Sequence, residues 1–208
     1  MKILDVGCGK GHISVLLASL GYSVYGIDIE ETKGEQLEIL EKKWQQNMWR
    51  DFEKTYPLFH LNYQFYDGRK IPFHNGTFDA VMAYAVIEHV TNPREFLREI
   101  NRVLKKGGYL FMFRCPRKQA LIEYAAGFLK LPRHERLMGK KELIELLKIN
   151  GFKEVKMENS DLIPSFPPLK LQKLWNANFE VLDSTDRILL NTPVGYFAHH
   201  FNIICNKV

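Results

Sequence analysis

Apolar and polar positions alternate along this chain in blocks of two lengths, one suited to strands and the other to helices. Ile3, Leu4 and Val6 form a short apolar run that ends in three glycines at alternate positions, Gly7, Gly9 and Gly11. Such a run reads as a buried strand feeding a tight turn. Ile13, Val15, Leu16, Leu17 and Leu20 follow at helical spacing and stop at Gly21, a C-cap residue. A second strand, Ser23–Ile27, runs into Asp28, and a helical pattern extends from Glu31 to about Tyr56. Leu37, Leu40, Trp44, Met48 and Phe52 make its expected core stripe, while Trp49 and Tyr56 fall off it and are expected to be exposed. Pro57 ends that helix.

The alternation continues. Strands are expected at Asn62–Tyr66, Phe78–Tyr84 and Tyr109–Phe113. Between the last two, Asn92 caps a helix with Pro93 at its first position and Glu95 completing a capping box. Phe96, Leu97, Ile100, Val103 and Leu104 form its buried stripe, and Gly107–Gly108 end it. Asp79 is expected to fix the start of its strand. Leu121–Leu131 and Lys140–Ile149 read as helices, Phe152–Glu158 and Phe197–Asn206 as strands. Ser160–Pro193 reads as an irregular, proline-bearing segment with apolar and basic residues interleaved. Strands alternating with helices predict an α/β fold, doubly wound around a mostly parallel sheet.

The glycine turn narrows the ligand. Glycine serves where backbone must turn sharply or lie against a ligand. A strand–glycine turn–helix unit places a nucleotide-sized pocket at the carboxyl edge of a parallel sheet. The three glycines alternate, His12 stands beyond them, and Asp5 lies two positions ahead, giving D-x-G-x-G-x-G. A dinucleotide fingerprint spaces its last glycine differently. Asp28, about 20 residues past the turn, is placed to accept hydrogen bonds from a ribose diol, with capping of the next helix as its other reading. Ile29 beside it would wall an adenine face.

DVGCGKG resembles motif I of the class I S-adenosylmethionine-dependent methyltransferases. IPFHNGTFDAVMAYAVIEHV, residues 71–90, resembles a second block of that family, and LKKGG before an apolar strand a third. The resemblance covers residues 2–155 and is nearest to the broad small-molecule group with quinone- and lipid-modifying members. It implies a seven-stranded sheet with an antiparallel last strand and helices on both faces. It implies S-adenosylmethionine as donor, S-adenosylhomocysteine as product and no metal. The donor-binding residues it implies are Asp5, Gly7, Cys8, Gly9, Gly11, Asp28, Ile29, Asp67, Gly68, Tyr84 and Ala85. Asp67 would meet the adenine amino group, and Tyr84 and Ala85 the methionine portion.

The donor's sulfonium already makes its methyl electrophilic, so the protein has to align an acceptor and exclude water. An oxygen acceptor gains from a base near neutral pH. His89, just past the fourth strand, and its neighbour Glu88 are the candidates, with packing against the next helix as the other reading of His89. His134 and Arg136 lie in a polar loop that could close over an anionic acceptor, or simply be solvated. His199 and His200 are assigned no role.

Composition changes this picture little. At 208 residues the chain reads as a single domain with insertions at about 31–60 and 160–195. Three widely spaced cysteines, Cys8, Cys115 and Cys205, suit reduced thiols in the cytoplasm. A formal charge of +5 comes from scattered basic residues, which suits a solvated surface. No basic patch with interleaved aromatics points to nucleic acid. The expected partner is a small-molecule or lipid- or glycolipid-like acceptor, methylated at oxygen, with peripheral membrane contact left open. Two other readings stay open: a non-catalytic donor-binding module and a nicotinamide-dependent oxidoreductase. The family usually carries a helical segment before its first strand, whereas this sequence opens on that strand. Either a native start precedes it or the two insertions supply the cover.

Overall fold

In a computed structural model, residues 1–30, 36–128, 136–163 and 172–208 are described. The expected start of a helix at Glu31, the expected helix end at Leu129–Leu131, the acceptor candidate His134 and residues 164–171 of the irregular segment lie outside these residues. One seven-stranded sheet runs through the molecule in the order β3-β2-β1-β4-β5-β7-β6. The strands are β1 (Lys2–Val6), β2 (Ser23–Ile29), β3 (Leu61–Tyr66), β4 (Phe78–Tyr84), β5 (Leu104–Pro116), β6 (Phe152–Ser160) and β7 (His200–Lys207). The first five pair in parallel, and β7 runs antiparallel between β5 and β6. The helices are α1 (His12–Ser19), α2 (Gln36–Thr55), α3 (Pro93–Val103), α4 (Leu121–Phe128), α5 (Lys140–Ile149), α6 (Gln172–Ala177) and α7 (Phe179–Leu190). This is the doubly wound α/β architecture that the alternation predicts.

Strands covered on both faces must be apolar along their length. Leu4, Val6, Val24, Ile27, Val81, Ala83, Leu110 and Met112 are all buried. On α3, Phe96, Leu97, Ile100 and Val103 lie against that sheet, each contributing about 1.5–3 kcal/mol on burial. Asn92 Oδ1 accepts the Glu95 N–H at 3.3 Å and caps this helix as expected. Leu104 leaves the predicted helix and opens β5 instead, paired with Phe78. Asp79 does secure its strand: its carboxylate accepts Lys2 N and Lys105 Nζ, each at 2.7 Å.

Two expectations fail for physical reasons. Residues 172–190, read as irregular, form the helices α6 and α7. Their apolar residues are exposed over much of their surface, so no single buried stripe marks them in the sequence. On α2 the inward face is rotated by about one residue from the apolar stripe. Trp49 is buried while Leu40 and Trp44 are exposed, because Gln45 and Trp49 turn inward to donate hydrogen bonds. Apolar periodicity cannot register a glutamine as an inward residue. Trp44 lies instead under the ammonium of Lys10, 4.2 Å from its ring centre.

Among the described residues no helix is long and apolar enough to cross a membrane. The three cysteines are free thiols.

Gly11 precedes α1 with φ of 86°, and a Cβ there would stand 2.7 Å from Tyr63 Oη. Gly11→Ala should therefore cost about 1–3 kcal/mol from the left-handed backbone alone, before the clash is counted. Urea denaturation of the two proteins measures this. An unchanged midpoint would show that the turn relaxes.

Candidate donor and acceptor sites

At the carboxyl edge of β1 the chain doubles back onto β2. The Gly7 and Cys8 N–H groups both donate to Ile27 O, at 2.8 and 3.1 Å. Gly9 N–H donates to Asp28 Oδ2 at 2.7 Å. Asp28 Oδ1 accepts its own neighbour's N–H, that of Ile29, at 2.7 Å. The carboxylate at the end of β2 thus holds the centre of the glycine turn.

Helix α2 closes over the same turn. Gln45 Nε2 bridges Gly9 O at 2.7 Å and Asp28 Oδ2 at 2.8 Å, and Trp49 Nε1 donates to Gly9 O at 2.9 Å. Lys42 Nζ stands 3.8 Å from Asp28 Oδ1. Trp49 stacks on Tyr63 of β3, with centroids 5.2 Å apart, and Tyr63 Oη donates to Gly11 O at 3.0 Å. Sequence reasoning missed Lys42, Gln45 and Trp49, which no motif marks.

Beneath the turn, Asp5 is buried and accepts Ser14 Oγ at 2.6 Å. Burial pushes its carboxyl up to about 7, the Ser14 bond opposes this, and the charge of Asp28 adds to it. Burial likewise pushes the Cys8 thiol up, helped by Asp5 and Asp28. Cys8 is thus no thiolate at neutral pH.

The remaining donor-side candidates form an open rim. A Cβ on Gly9 would meet nothing within 4 Å, so the space over the turn is clear. Ile29, Asp67, Gly68 and Tyr84 are exposed along the edge of β2, β3 and β4. Asp67 Oδ1 accepts the N–H groups of Arg69 and Lys70, each at 2.9 Å, which hold its carboxyl below the usual range. Ala85 follows β4 with φ of 52°. Bare backbone, the Asp28 carboxylate, an apolar residue and a second acid therefore lie along one edge. Those residues suit a nucleoside with an amino-acid tail.

Past β4 a short 3₁₀ turn, Ile87–His89, carries the two proton-handling candidates. Glu88 is buried, and its Oε2 finds no partner among the described residues. His89 is exposed. The Arg136 guanidinium donates to the carbonyls of Val90 and Thr91 and braces the chain after that turn.

A cleft of ≈ 450 Å³ opens at the carboxyl edge of β4 and β5. Tyr84, Phe113 and Arg114 form its floor, Trp175, Phe179 and Leu182 of α6 and α7 its apolar wall. Asp161, Asp183 and Asp186 add carboxylates. Arg114 Nη1 donates to Tyr84 Oη at 3.4 Å. Tyr84 belongs to both places, since it ends the strand paired with β1 and lines the cleft. Strained backbone gathers here: Ala85, Arg114 and Asp161 all have φ between 52° and 60°, a conformation that non-glycine residues hold at a cost of about 1–3 kcal/mol each.

A glycine turn held by a β2 acid, on a sheet of this order, defines a Rossmann-like methyltransferase fold. Comparison with known proteins agrees: the methyltransferase-domain family matches residues 4–112. The chain belongs to the class I S-adenosylmethionine-dependent methyltransferases. It is 27% identical to a ubiquinone biosynthesis O-methyltransferase of Pelagibacter ubique, over 95% of this chain and 73% of that one. The corresponding enzyme of Xanthomonas oryzae is 33% identical, over 95% and 74%. A mitochondrial enzyme of the same name from Rattus norvegicus is 32% identical, over 73% of this chain, which spans 44% of its length. Among solved structures, a methyltransferase of Methanosarcina mazei superposes with a TM-score of 0.62 at 22% identity, covering 100% of this chain and 92% of that one. A phosphoethanolamine N-methyltransferase of Haemonchus contortus bound to S-adenosylmethionine gives 0.65 at 17%, covering 100% and 48%. These structures share the fold.

The raised Asp5 carboxyl has a pH consequence. The fold prefers Asp5 protonated, so its contribution is complete below 3.8, the ordinary value, and is lost as pH rises through about 7. Asp5→Asn keeps an acceptor for Ser14 and cannot ionise. Relative to the wild type, it should gain about 3 kcal/mol in stability between pH 5 and pH 8, at 1.36 kcal/mol per pH unit. Urea midpoints at the two pH values check this, and a constant difference would place the ordinary carboxyl value back on Asp5.

Proposed function

We propose that this chain moves the methyl group of S-adenosylmethionine onto a hydroxyl oxygen of a small aromatic or lipid-like acceptor. The observation that carries this reading is the aromatic cleft meeting the glycine-turn edge at Tyr84. One side chain thereby borders both reactants, as an in-line transfer requires. The names of the relatives, O-methyltransferases of ubiquinone biosynthesis, favour oxygen as the atom and a ring-bearing molecule as the acceptor.

On the donor side, the ribose hydroxyls would exchange with Gln45 and Lys42 at the Asp28 carboxylate. Adenine would lie against Ile29, with its amino group towards Asp67 and a ring nitrogen near the Gly68 backbone. The methionine portion would follow Gly7, Cys8, Gly9 and Gly11 towards Tyr84 and Ala85, with Asp5 giving negative charge beneath a cationic donor. Glu88 and His89 would flank the reacting methyl. The bound donor supplies an electrophilic methyl group; the protein's part is to align the acceptor oxygen with the C–S bond and keep water out.

On the acceptor side, the insertion at about 160–195 supplies the apolar wall. Leu174, Val181 and Ile188 are exposed on α6 and α7 beside it, which suits an acceptor carrying a lipid chain and brief contact with a membrane surface. The insertion at about 31–60 supplies the cover over the glycine turn. Three free thiols fit a reducing compartment such as the cytoplasm.

Calorimetry with S-adenosylmethionine, S-adenosylhomocysteine and NAD tests the donor. Micromolar binding of the two sulfur compounds and none of NAD is expected. Asp28→Ala should weaken both by about tenfold or more, since a hydrogen bond to a charged group is worth roughly 1.5–3 kcal/mol. Unchanged affinity in a folded variant would remove Asp28 from the ribose site.

A further inference from the structure

Where β7 begins, two histidine–carboxylate pairs that the sequence leaves without a role lie side by side, and one of them reaches the cleft through Asp161. His199 Nε2 lies 3.0 Å from Glu123 Oε1, and His200 Nδ1 lies 2.9 Å from Asp161 Oδ2. The two rings are in contact, 3.9 Å between centroids and tilted by 33°. Their backbone is fixed on three sides. His200 pairs with Pro116 of β5 and Ser160 of β6, His199 N–H donates to Asp161 O, and Arg117 N–H donates to His199 O.

The Asp161 pair differs from the other in where it points. The His200 side chain is only 3% exposed, yet its carboxylate partner is 20% exposed and lines the cleft with Tyr84, Phe113 and Arg114. Ser160 Oγ donates to the same carboxylate at 3.0 Å. Asp161 holds φ of 60°, and such strain persists where the surroundings over-determine a side chain's direction. A carboxylate aimed into an aromatic cleft, with a buried imidazole behind it, is the arrangement of an oriented proton acceptor. His89, in contrast, is exposed and lies outside the cleft lining.

We propose that Asp161, backed by His200, takes the proton from the acceptor hydroxyl as the methyl group arrives. This rests on the hydroxyl-acceptor reading above. The acceptor O–H bond breaks and its proton passes to the Asp161–His200 pair. The freed oxygen electron pair forms the O–CH₃ bond, while the C–S pair returns to sulfur and leaves a neutral thioether. The proton is released to water with the product. Asp161 is the catalytic residue and His200 its positioning residue.

Several charges act on this pair. Arg114 faces the carboxylate from the β5 end, and Asp183 and Asp186 face it from α7. The charges of Asp161 and Asp183 both push the Asp186 carboxyl up, after burial. The Glu123–His199 pair touches His200 from α4 and from the residue before β7, and the Arg117 guanidinium lies 4.4 Å from the Phe201 ring centre next in the chain.

The test uses labelled S-adenosylmethionine with two probes, catechol and 4-nitrocatechol, the second already ionised near neutral pH. Asp161→Asn should lose roughly 10²–10⁴-fold in turnover on catechol and less than about tenfold on 4-nitrocatechol. His200→Gln should show a smaller loss with the same rescue, and calorimetric donor affinity should stay within twofold in both. Equal losses on the two probes, or none, would make the pair a structural clasp between β6 and β7 and overturn the assignment. If the rescue pattern instead appears in His89→Ala and not in Asp161→Asn, the proton belongs to the turn after β4 and the assignment also falls. Should Asp161→Asn not fold, Asp161→Glu keeps the charge and misplaces it, and the same comparison decides. A wild type that binds donor but methylates neither catechol overturns the hydroxyl-acceptor reading, and this assignment with it.

Discussion

Everything at the carboxyl edge depends on one contact, the hydrogen bond between the Gly9 N–H and the Asp28 carboxylate. It ties the turn after β1 to the end of β2. Gly7 and Cys8 donate to the carbonyl just before Asp28, so three consecutive N–H groups converge on two consecutive residues. An ionised acceptor strengthens such a bond roughly twofold over a neutral one. The same carboxylate then recruits Gln45 and Lys42, and with them the whole of α2. Removing its charge would loosen the turn and the helix together.

Charge is unevenly shared beneath that contact. Asp5 lies within the influence of Asp28, buried, and cannot ionise at low cost while Asp28 does. Burial, with the Asp28 charge beside it, holds the ionisation of Asp5 up, so the charge on Asp5 responds to what binds nearby. A cationic donor arriving above the turn favours the ionised form of Asp5, because opposite charge lowers a carboxyl's proton affinity.

The far end of the sheet solves a different problem. Inserting β7 antiparallel between β5 and β6 brings His199 and His200 to the edge where the parallel strands end. Their carboxylate partners come from α4 and from the residue after β6, elements far apart in the chain. Helices α6 and α7 then roof the cleft with Trp175, Phe179 and Leu182. The cleft is thus assembled mainly from late segments, whereas the glycine turn and the groups that hold it, Asp28, Gln45, Trp49 and Tyr63, come from the first third of the chain.

Local order in the chain determined the parallel half of the sheet and its glycine turn. Apolar runs that end in glycines or acids have few alternatives in a covered parallel sheet, so β1 to β5, the glycine turn, Asp28 and the Asn92 cap were legible directly. Wherever a polar group turns inward, the pattern misleads. Gln45 and Trp49 face the core because Gly9 O and Asp28 need donors, and hydrophobic periodicity carries no record of hydrogen-bond demand. The pairing of Asp161 with His200 and of Glu123 with His199 was beyond reach for another reason. Those partners are 39 and 76 residues apart, and only the strand order that seats β7 between its neighbours brings them within 3.0 Å.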